Sequence, residues 1–378
     1  MLESEAMALL VASGVSYKRR DAVIRLAGSA LSVMAEPEKY AAQLQEKGTA
    51  QVRRAWAERE KLLGEIAEKG MRLILPQDAE YPPLLRKIAH PPHLLYVWGN
   101  PDLADPFPVA SVGTRRASAY GVVHARMMAR ELAQAGVCVV SGLALGIDAA
   151  SHEGALDVGG RTVAVLGGAL DKLYPPENRG LMERILHANG SVVSEYSPGT
   201  APMRYSFLQR NRIIAGMSLG VLAVEGAKRS GALRTAQCAL EEGREVFALP
   251  GSVDSMGSEL PHLLIADGAR LVTCGRDILS TLVIEPKKQT DVSETIHEHE
   301  EEKPAPEEKT LHIPKNLAPE AQAICRRLME GEADFDVLCA ASGLSSDETG
   351  ALLTELEMDE IVRQTAGDSY APGAAMGA

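Results

Sequence analysis

The sequence predicts an α/β fold: a doubly wound, Rossmann-like central domain, with a helical region before it and a winged-helix-like domain after it. Three observations carry this. Between residues 108 and 272, short apolar runs rich in Val alternate with glycine turns and helical segments, the pattern of a parallel sheet covered on both faces. Residues 1–70 carry helical periodicity with few strand signals. Residues 319–372 read as three helices and a closing hairpin.

In order, residues 6–11 and 20–27 form short amphipathic helices broken at Gly14 and Gly28, and 51–69 reads as one longer charged helix. Residues 71–100 change character: Arg72-Leu73-Ile74-Leu75 is a strand, and Tyr81-Pro82-Pro83 and His90-Pro91-Pro92 enforce extended backbone. This stretch predicts a ribbon leading onto a sheet edge. The strands expected next are 109–112, 137–140, 162–166, 192–194, 221–224, 245–248 and 270–272, with helices such as 118–135 and 232–242 between them. Ser118 suits an N-cap and Gly136 a helix stop. Residues 284–312 form a charged, proline-containing linker whose His297 and His299 are expected to be solvated. Helices at 319–329, 335–341 and 347–358 and a hairpin at 361–364 and 369–372 complete the chain, with the last domain spanning 313–378.

At 378 residues, two or three domains are expected. The five cysteines include no Cys-x-x-Cys pair, which argues against zinc and disulfides. No apolar run is long enough to cross a bilayer, and the acidic start Met1-Leu2-Glu3-Ser4-Glu5 is unlike a secretory signal, so a cytoplasmic protein is expected. The net charge of −12 is unevenly spread. Residues 285–309 hold nine acids against four bases, and 310–378 twelve against four, so residues 1–284 are near +1. The acidity therefore belongs to the linker and the last domain. Helix 347–358 has four acids and no Lys or Arg, so phosphate would repel it and the winged-helix-like domain is not expected to be the main nucleic-acid site.

The candidate site lies at the strand-to-helix junctions. Gly113-Thr114-Arg115 follows the first central strand. Ser141-Gly142 begins a small-residue turn running to Asp148. Phe207, Arg210, Asn211 and Arg212 fall at an expected helix opening, and Arg229-Ser230-Gly231 at another junction. Helix starts offer unpaired N–H groups, and arginine offers a fork that fits two phosphate oxygens. In an open parallel sheet such junctions share one edge, where ligands bind. Their company suggests one anionic, phosphate-rich ligand. Lys172 and Arg179 would extend the cationic track, and Phe207, Tyr174 and Tyr205 could stack bases.

The set Gly-Thr-Arg at 113, Ser-Gly-Leu-Ala-Leu-Gly-Ile-Asp at 141, Tyr-Pro-Pro-Glu-Asn-Arg at 174, Arg-Asn-Arg-Ile-Ile-Ala-Gly at 210 and Arg-Ser-Gly-Ala-Leu at 229 resembles the DNA-processing protein A (DprA/Smf) family from about residue 73 to 272. The resemblance implies a dimeric single-stranded DNA-binding protein that protects incoming DNA and helps load the RecA recombinase in natural transformation. It implies no cofactor and no catalysis, and a sterile-alpha-motif-like or helix-hairpin-helix-like module over 1–70, for which the residues equally allow a helical cap packed on the central domain. Where the family has a basic residue near the Tyr-Pro junction, this chain has Pro176 and Glu177.

Two other readings stay open. Ser141, Asp148 and His152 lie close enough in sequence to build a hydrolytic relay if hydrogen bonds join them, although no Gly-x-Ser-x-Gly elbow is present. The same arginines could also hold a nucleotide or another small phosphorylated ligand, although a Gly-x-Gly-x-x-Gly fingerprint is absent after the first strand.

Overall fold

The computed structural model describes residues 1–284, 317–329, 331–359, 361–365 and 369–373. It divides into two compact units, Met1–Thr290 and Asp291–Ala378. The expected acidic linker lies almost wholly outside the described residues.

The first unit opens with helices α1 (Glu3–Ala12), α2 (Tyr17–Ala27), α3 (Ala30–Ala35), α4 (Ala41–Ala57) and α5 (Arg59–Glu68). The single helix expected over 51–69 is therefore two. Glu58 leaves helical geometry at φ −92°, ψ 7°, and the chain turns there. These helices do not stand apart. Leu9, Leu10, Val23, Leu44 and Val52 share one core with Leu94, Tyr96, Leu166 and Val192 of the sheet region.

Strands β1 (Arg72–Ile74) and β2 (Leu95–Gly99) form the expected ribbon, pairing antiparallel with each other. The doubly wound part follows: β3 (Pro108–Val112), α6 (Ala119–Gln134), β4 (Cys138–Ser141), α7 (Ile147–Leu156), β5 (Thr162–Val165), α8 (Arg179–His187), β6 (Ser191–Ser194), α9 (Arg204–Met217), β7 (Gly220–Ala223), α10 (Gly231–Glu241), β8 (Glu245–Ala248), α11 (Glu259–Ala266), β9 (Arg270–Leu271) and α12 (Gly275–Thr281). The sheet order is β1-β2-β6-β5-β4-β3-β7-β8-β9, parallel from β6 to β9 and antiparallel where β2 meets β6. The chain winds from β3 out to β6, then returns to β7 on the other side of β3. That reversal is the topological switch point of a doubly wound sheet.

Alternation along each strand explains the two layers. Val109, Val139, Leu222 and Phe247 face α6, α7 and α12 through Met128, Leu132, Ile147 and Ile278. Ala110, Val140, Val221 and Val246 belong to the opposite core with Ile213, Ile214, Ala236 and Leu260 of α9, α10 and α11. Ser118 caps α6 as expected, accepting from the Gly121 N–H at 3.1 Å, and Gly136 ends it with φ +85°.

The second unit contains α13 (Pro319–Met329), β10 (Ala333–Asp334), α14 (Phe335–Ser342), α15 (Ser346–Met358), β11 (Val362–Gln364) and β12 (Ser369–Pro372). Its sheet order is β10-β12-β11, around a core that includes Ile324, Leu328, Leu338, Leu353 and Leu356. Three helices and a hairpin were legible; the two-residue strand β10 was too short to show a period. Ser345 and Glu348 cap α15 reciprocally, the Ser345 N–H donating to the carboxylate at 3.0 Å.

Candidate nucleic-acid interface

A cleft of ≈ 380 Å³ opens at the switch point. The end of β3 supplies Val112, and the β3–α6 turn supplies Gly113, Thr114, Arg115 and Arg116. The β4–α7 turn supplies Ala144 and the first turn of α7 supplies Asp148. Helix α9 supplies Phe207, Leu208, Arg210, Asn211 and Ile214, and the start of α10 supplies Ser230, Gly231, Ala232 and Thr235.

The turns are locked to one another by backbone contacts that side chains would block. The Thr114 N–H donates to the Glu225 carbonyl at 2.8 Å, and the Ile147 N–H to the Thr114 carbonyl at 3.2 Å. A Cβ on Gly113 would stand 2.5 Å from Ile147 Cγ1 and 2.9 Å from the Glu225 carbonyl, so only glycine fits. Behind this turn the buried Glu225 carboxylate accepts from the Ser118 N–H at 2.9 Å and the Ser118 hydroxyl at 2.5 Å, placing negative charge at the α6 N-terminus.

Arg210, Asn211 and Arg212 have a different setting from the one expected. Helix α9 begins at Arg204, so Arg210 sits mid-helix, where neighbouring N–H groups are already bonded. Arg210 is only 5% exposed. Its Nη1 donates to the Gly142 carbonyl at 2.8 Å and also to the Val165 carbonyl, tying α9 to the ends of β4 and β5. A Cβ on Gly142 would overlap the guanidinium, which accounts for glycine there. Burial lowers the Arg210 pKa and the nearby Asp148 charge opposes that fall. Asn211 Nδ2 donates to the Gly231 carbonyl at 3.0 Å, fixing the start of α10. Arg212 points elsewhere and pairs with Glu195, just beyond β6. The expected row of charged forks is thus a clamp joining α9 to β4, β5, β6 and α10. Ser141 is likewise interior, its hydroxyl donating to the Ser111 carbonyl at 2.6 Å.

The exposed cations lie at the rim. Arg115 is exposed, and its guanidinium carbon sits 5.0 Å from the centre of the Phe207 ring. Arg116 is exposed beside it, and Lys228 and Arg229 are exposed just before Ser230. Among the described residues none of these four side chains has an ion-pair partner. Phe207 packs on Gly167, where a Cβ would come within 2.7 Å of the ring. Tyr174 is half exposed, 5.9 Å from Phe207 between ring centres. Lys172 is exposed on the same β5–α8 connection and Arg179 at the start of α8, but neither lines the cleft. Sequence reasoning missed Arg116, although the doubled arginine at 115–116 was visible. It also missed Leu208, Ile214 and Thr235, which only the fold brings to the cleft.

The hydrolytic relay does not assemble. His152 is fully buried and its Nδ1 meets Thr162 Oγ1 at 2.7 Å, not Ser141 or Asp148. Burial holds its imidazole down at about 3, with the Arg210 charge acting the same way. Asp148 accepts from the Ala144 N–H at 3.4 Å, with the Gly142 N–H and the Ser141 hydroxyl also at its carboxylate, and His152 is not among its partners.

Together the fold and cleft define a Rossmann-like protein whose switch point carries a cationic rim, linked in one chain to a small three-helix unit with a β-hairpin. The family model of the DNA recombination-mediator protein A matches residues 72–283, and that of the DprA winged helix domain matches 301–368. The chain belongs to the DNA-processing protein A (DprA/Smf) family. It is 47% identical to Protein Smf of Escherichia coli over 209 residues, 55% of this chain and 56% of that protein, and so spans about half of that relative. Protein Smf of Synechocystis is 35% identical over 321 residues, 78% of each chain. The X-ray structure of DprA from Streptococcus pneumoniae superposes with a TM-score of 0.64 at 34% identity, over 74% of this chain and 98% of that one. DprA from Helicobacter pylori, whose structure concerns single-stranded DNA binding, superposes at 0.51 with 31% identity, over 56% of this chain and 95% of that one.

Proposed function

We propose that this protein binds single-stranded DNA without strong sequence preference, at the cleft between β3, α9 and α10. The observation that carries the reading is Arg115: exposed, unpaired among the described residues and held over Phe207 at the mouth of the cleft. Arg115, Arg116, Lys228 and Arg229 take the phosphates, with Lys172 and Arg179 extending the track. Phe207 and Tyr174 offer faces for base stacking, which tolerates any sequence. The relatives support this reading through the single-stranded DNA binding named for the H. pylori protein.

The finer role follows the family: protection of incoming DNA and loading of RecA, by a cytoplasmic homodimer, with neither chemistry nor cofactor. The working division is a helical region at 1–70, the DNA-binding domain at 71–283, an acidic linker at 284–312 and a winged-helix-like domain at 313–378. Helix α15 carries Glu348, Glu355 and Glu357 and no basic residue, which supports placing the DNA elsewhere. The test is fluorescence anisotropy with a labelled single strand against Arg115→Ala and Arg229→Ala. Weaker binding with a shallower salt dependence is expected. Nucleotide-dependent thermal stabilisation without strand binding would favour the small-ligand reading instead.

A further inference from the structure

The two turns that carry the rim cations meet at one buried acid. Glu225, just past the end of β7, is 4% exposed and forms no ion pair among the described residues. Its carbonyl accepts the Thr114 N–H at 2.8 Å, from the turn that carries Arg115 and Arg116. The next residue, Gly226, donates its N–H to the Gly257 carbonyl at 2.7 Å and accepts the Leu260 N–H at 2.8 Å. Lys228 and Arg229 follow directly. Residues 225 and 226 thus join the β3–α6 turn, the β7–α10 turn and the β8–α11 connection.

The side chain does more than fill this junction. Its two oxygens take separate donors from the N-cap of α6: the Ser118 N–H reaches Oε2 at 2.9 Å and the Ser118 hydroxyl reaches Oε1 at 2.5 Å. That hydroxyl in turn accepts from the Gly121 N–H. Glycine at 121 leaves the room, since a Cβ there would collide with the carboxylate, and a Cβ on Gly257 would come within 3.2 Å of its carboxyl carbon. A charge without an ion-pair partner is costly to bury unless donors and dipoles replace water, and the start of a 16-residue helix supplies both. The first helix after a switch-point strand is where doubly wound sheets hold a ligand's phosphate. Here a carboxylate of the chain itself stands in that place.

We propose that Glu225 is a built-in anion that positions the cationic rim: it ties the Arg115–Arg116 turn to the Lys228–Arg229 turn and keeps a free phosphate from the start of α6. This rests on the single-stranded DNA reading and deepens it. Glu225 is a positioning residue, acting on the strand only through the turns that it joins. A second anion at the same helix start would meet the buried carboxylate in a low-dielectric setting, where like charges repel strongly. The strand's phosphates are therefore left to the exposed side chains of the two turns.

The test uses the full-length protein, Glu225→Ala and Glu225→Gln, with affinity for a labelled single strand measured across salt series of sodium chloride and of sodium formate. In Glu225→Ala the slope of log K against log salt is expected to fall by about 0.7 or more in chloride, the value of at least one phosphate on a single strand. It is expected to return toward the parent's in formate, a carboxylate small enough for the vacated place. The natural protein is expected to show one slope in both salts. Glu225→Gln keeps the shape but offers one acceptor oxygen where the carboxylate offers two; it is expected to lose slope in both salts, because its side chain leaves formate no room. Inorganic phosphate is expected to raise the melting temperature of Glu225→Ala by several degrees more than that of the natural protein, the general effect of the salt being common to both. A folded Glu225→Ala with the parent's slope in chloride, a slope that formate does not restore, or equal stabilisation by phosphate overturns the proposal. Should Glu225→Ala fail to fold, Glu225→Gln decides, and the parent's slope in both salts overturns it. If the natural protein binds no strand at low salt, the single-stranded DNA reading itself fails, and the melting curves in phosphate still test the anion.

Discussion

Replacing Arg210 by Met keeps the side chain's stem and removes its charge. If Arg210 is a clamp, the result is loss of stability. The Gly142 and Val165 carbonyls lose a charged donor, and Asp148 loses the cation that offsets its burial. A hydrogen bond to a charged group contributes about 1.5–3 kcal/mol, and stripping the partner from a buried charge costs about 3–5 kcal/mol. These effects overlap, so a total of roughly 3–5 kcal/mol is expected. For a unit of this size each kcal/mol moves the melting temperature by about 2–4 °C, so a fall on the order of 10 °C should appear by calorimetry or circular dichroism. The slope of log K against log salt for single-stranded DNA should not change, because Arg210 neutralises no phosphate. Arg115→Met is the counterpart: melting within about 0.5 kcal/mol of the parent, but a slope lower by about 0.7, the value of one phosphate on a single strand. An Arg210→Met protein that melts normally and loses that slope would refute the clamp and restore Arg210 as a phosphate ligand.

Gly142→Ala should mimic the loss of Arg210 from the other side, because the new Cβ occupies the guanidinium's place; a destabilisation of about 2 kcal/mol or more is expected by urea titration, in the range of overpacked interiors, and an unchanged midpoint would contradict the packing. His152 ties stability to acid: the unfolded imidazole takes a proton near 6.5 but the folded one only near 3, so the contribution is complete above pH 6.5 and is lost as pH falls toward 3. His152→Gln should flatten that dependence by up to about 1.4 kcal/mol per pH unit, and identical slopes for the two proteins between pH 6.5 and 4 would remove His152 from the account. A chain ending at Ile284 should keep its affinity for single strands, and a collapse in affinity would show that the acidic second unit takes part.

The strands from β3 to β8 were readable to within a residue or two, because a strand covered on both faces must be short and apolar throughout. Ser118 and Gly136 marked the ends of α6 for local reasons, a side-chain cap and a left-handed stop. The role of the Arg-Asn-Arg run was not readable in the same way. Arg210 and Asn211 line the cleft and Arg212 does not, and their settings depend on Gly142, Val165, Glu195 and Gly231, which are distant in sequence and meet α9 only in the fold. The start of α9 at Arg204 was also hidden, since Met203 to Phe207 lacks a recognisable cap. Proximity in sequence left a relay of Asp148 with His152 open, whereas the fold turns His152 toward Thr162 and leaves Asp148 facing the cleft.

The central claim is that the rim of this cleft holds a single strand by its phosphates. It is tested most directly by the affinity of the full-length protein for one labelled strand and for its duplex across a salt series, with Arg115→Ala alongside. The account predicts preference for the single strand, steep loss of binding with salt, and a shallower slope in the variant. Equal affinity for duplex and strand, or a variant with the parent's slope, would contradict it.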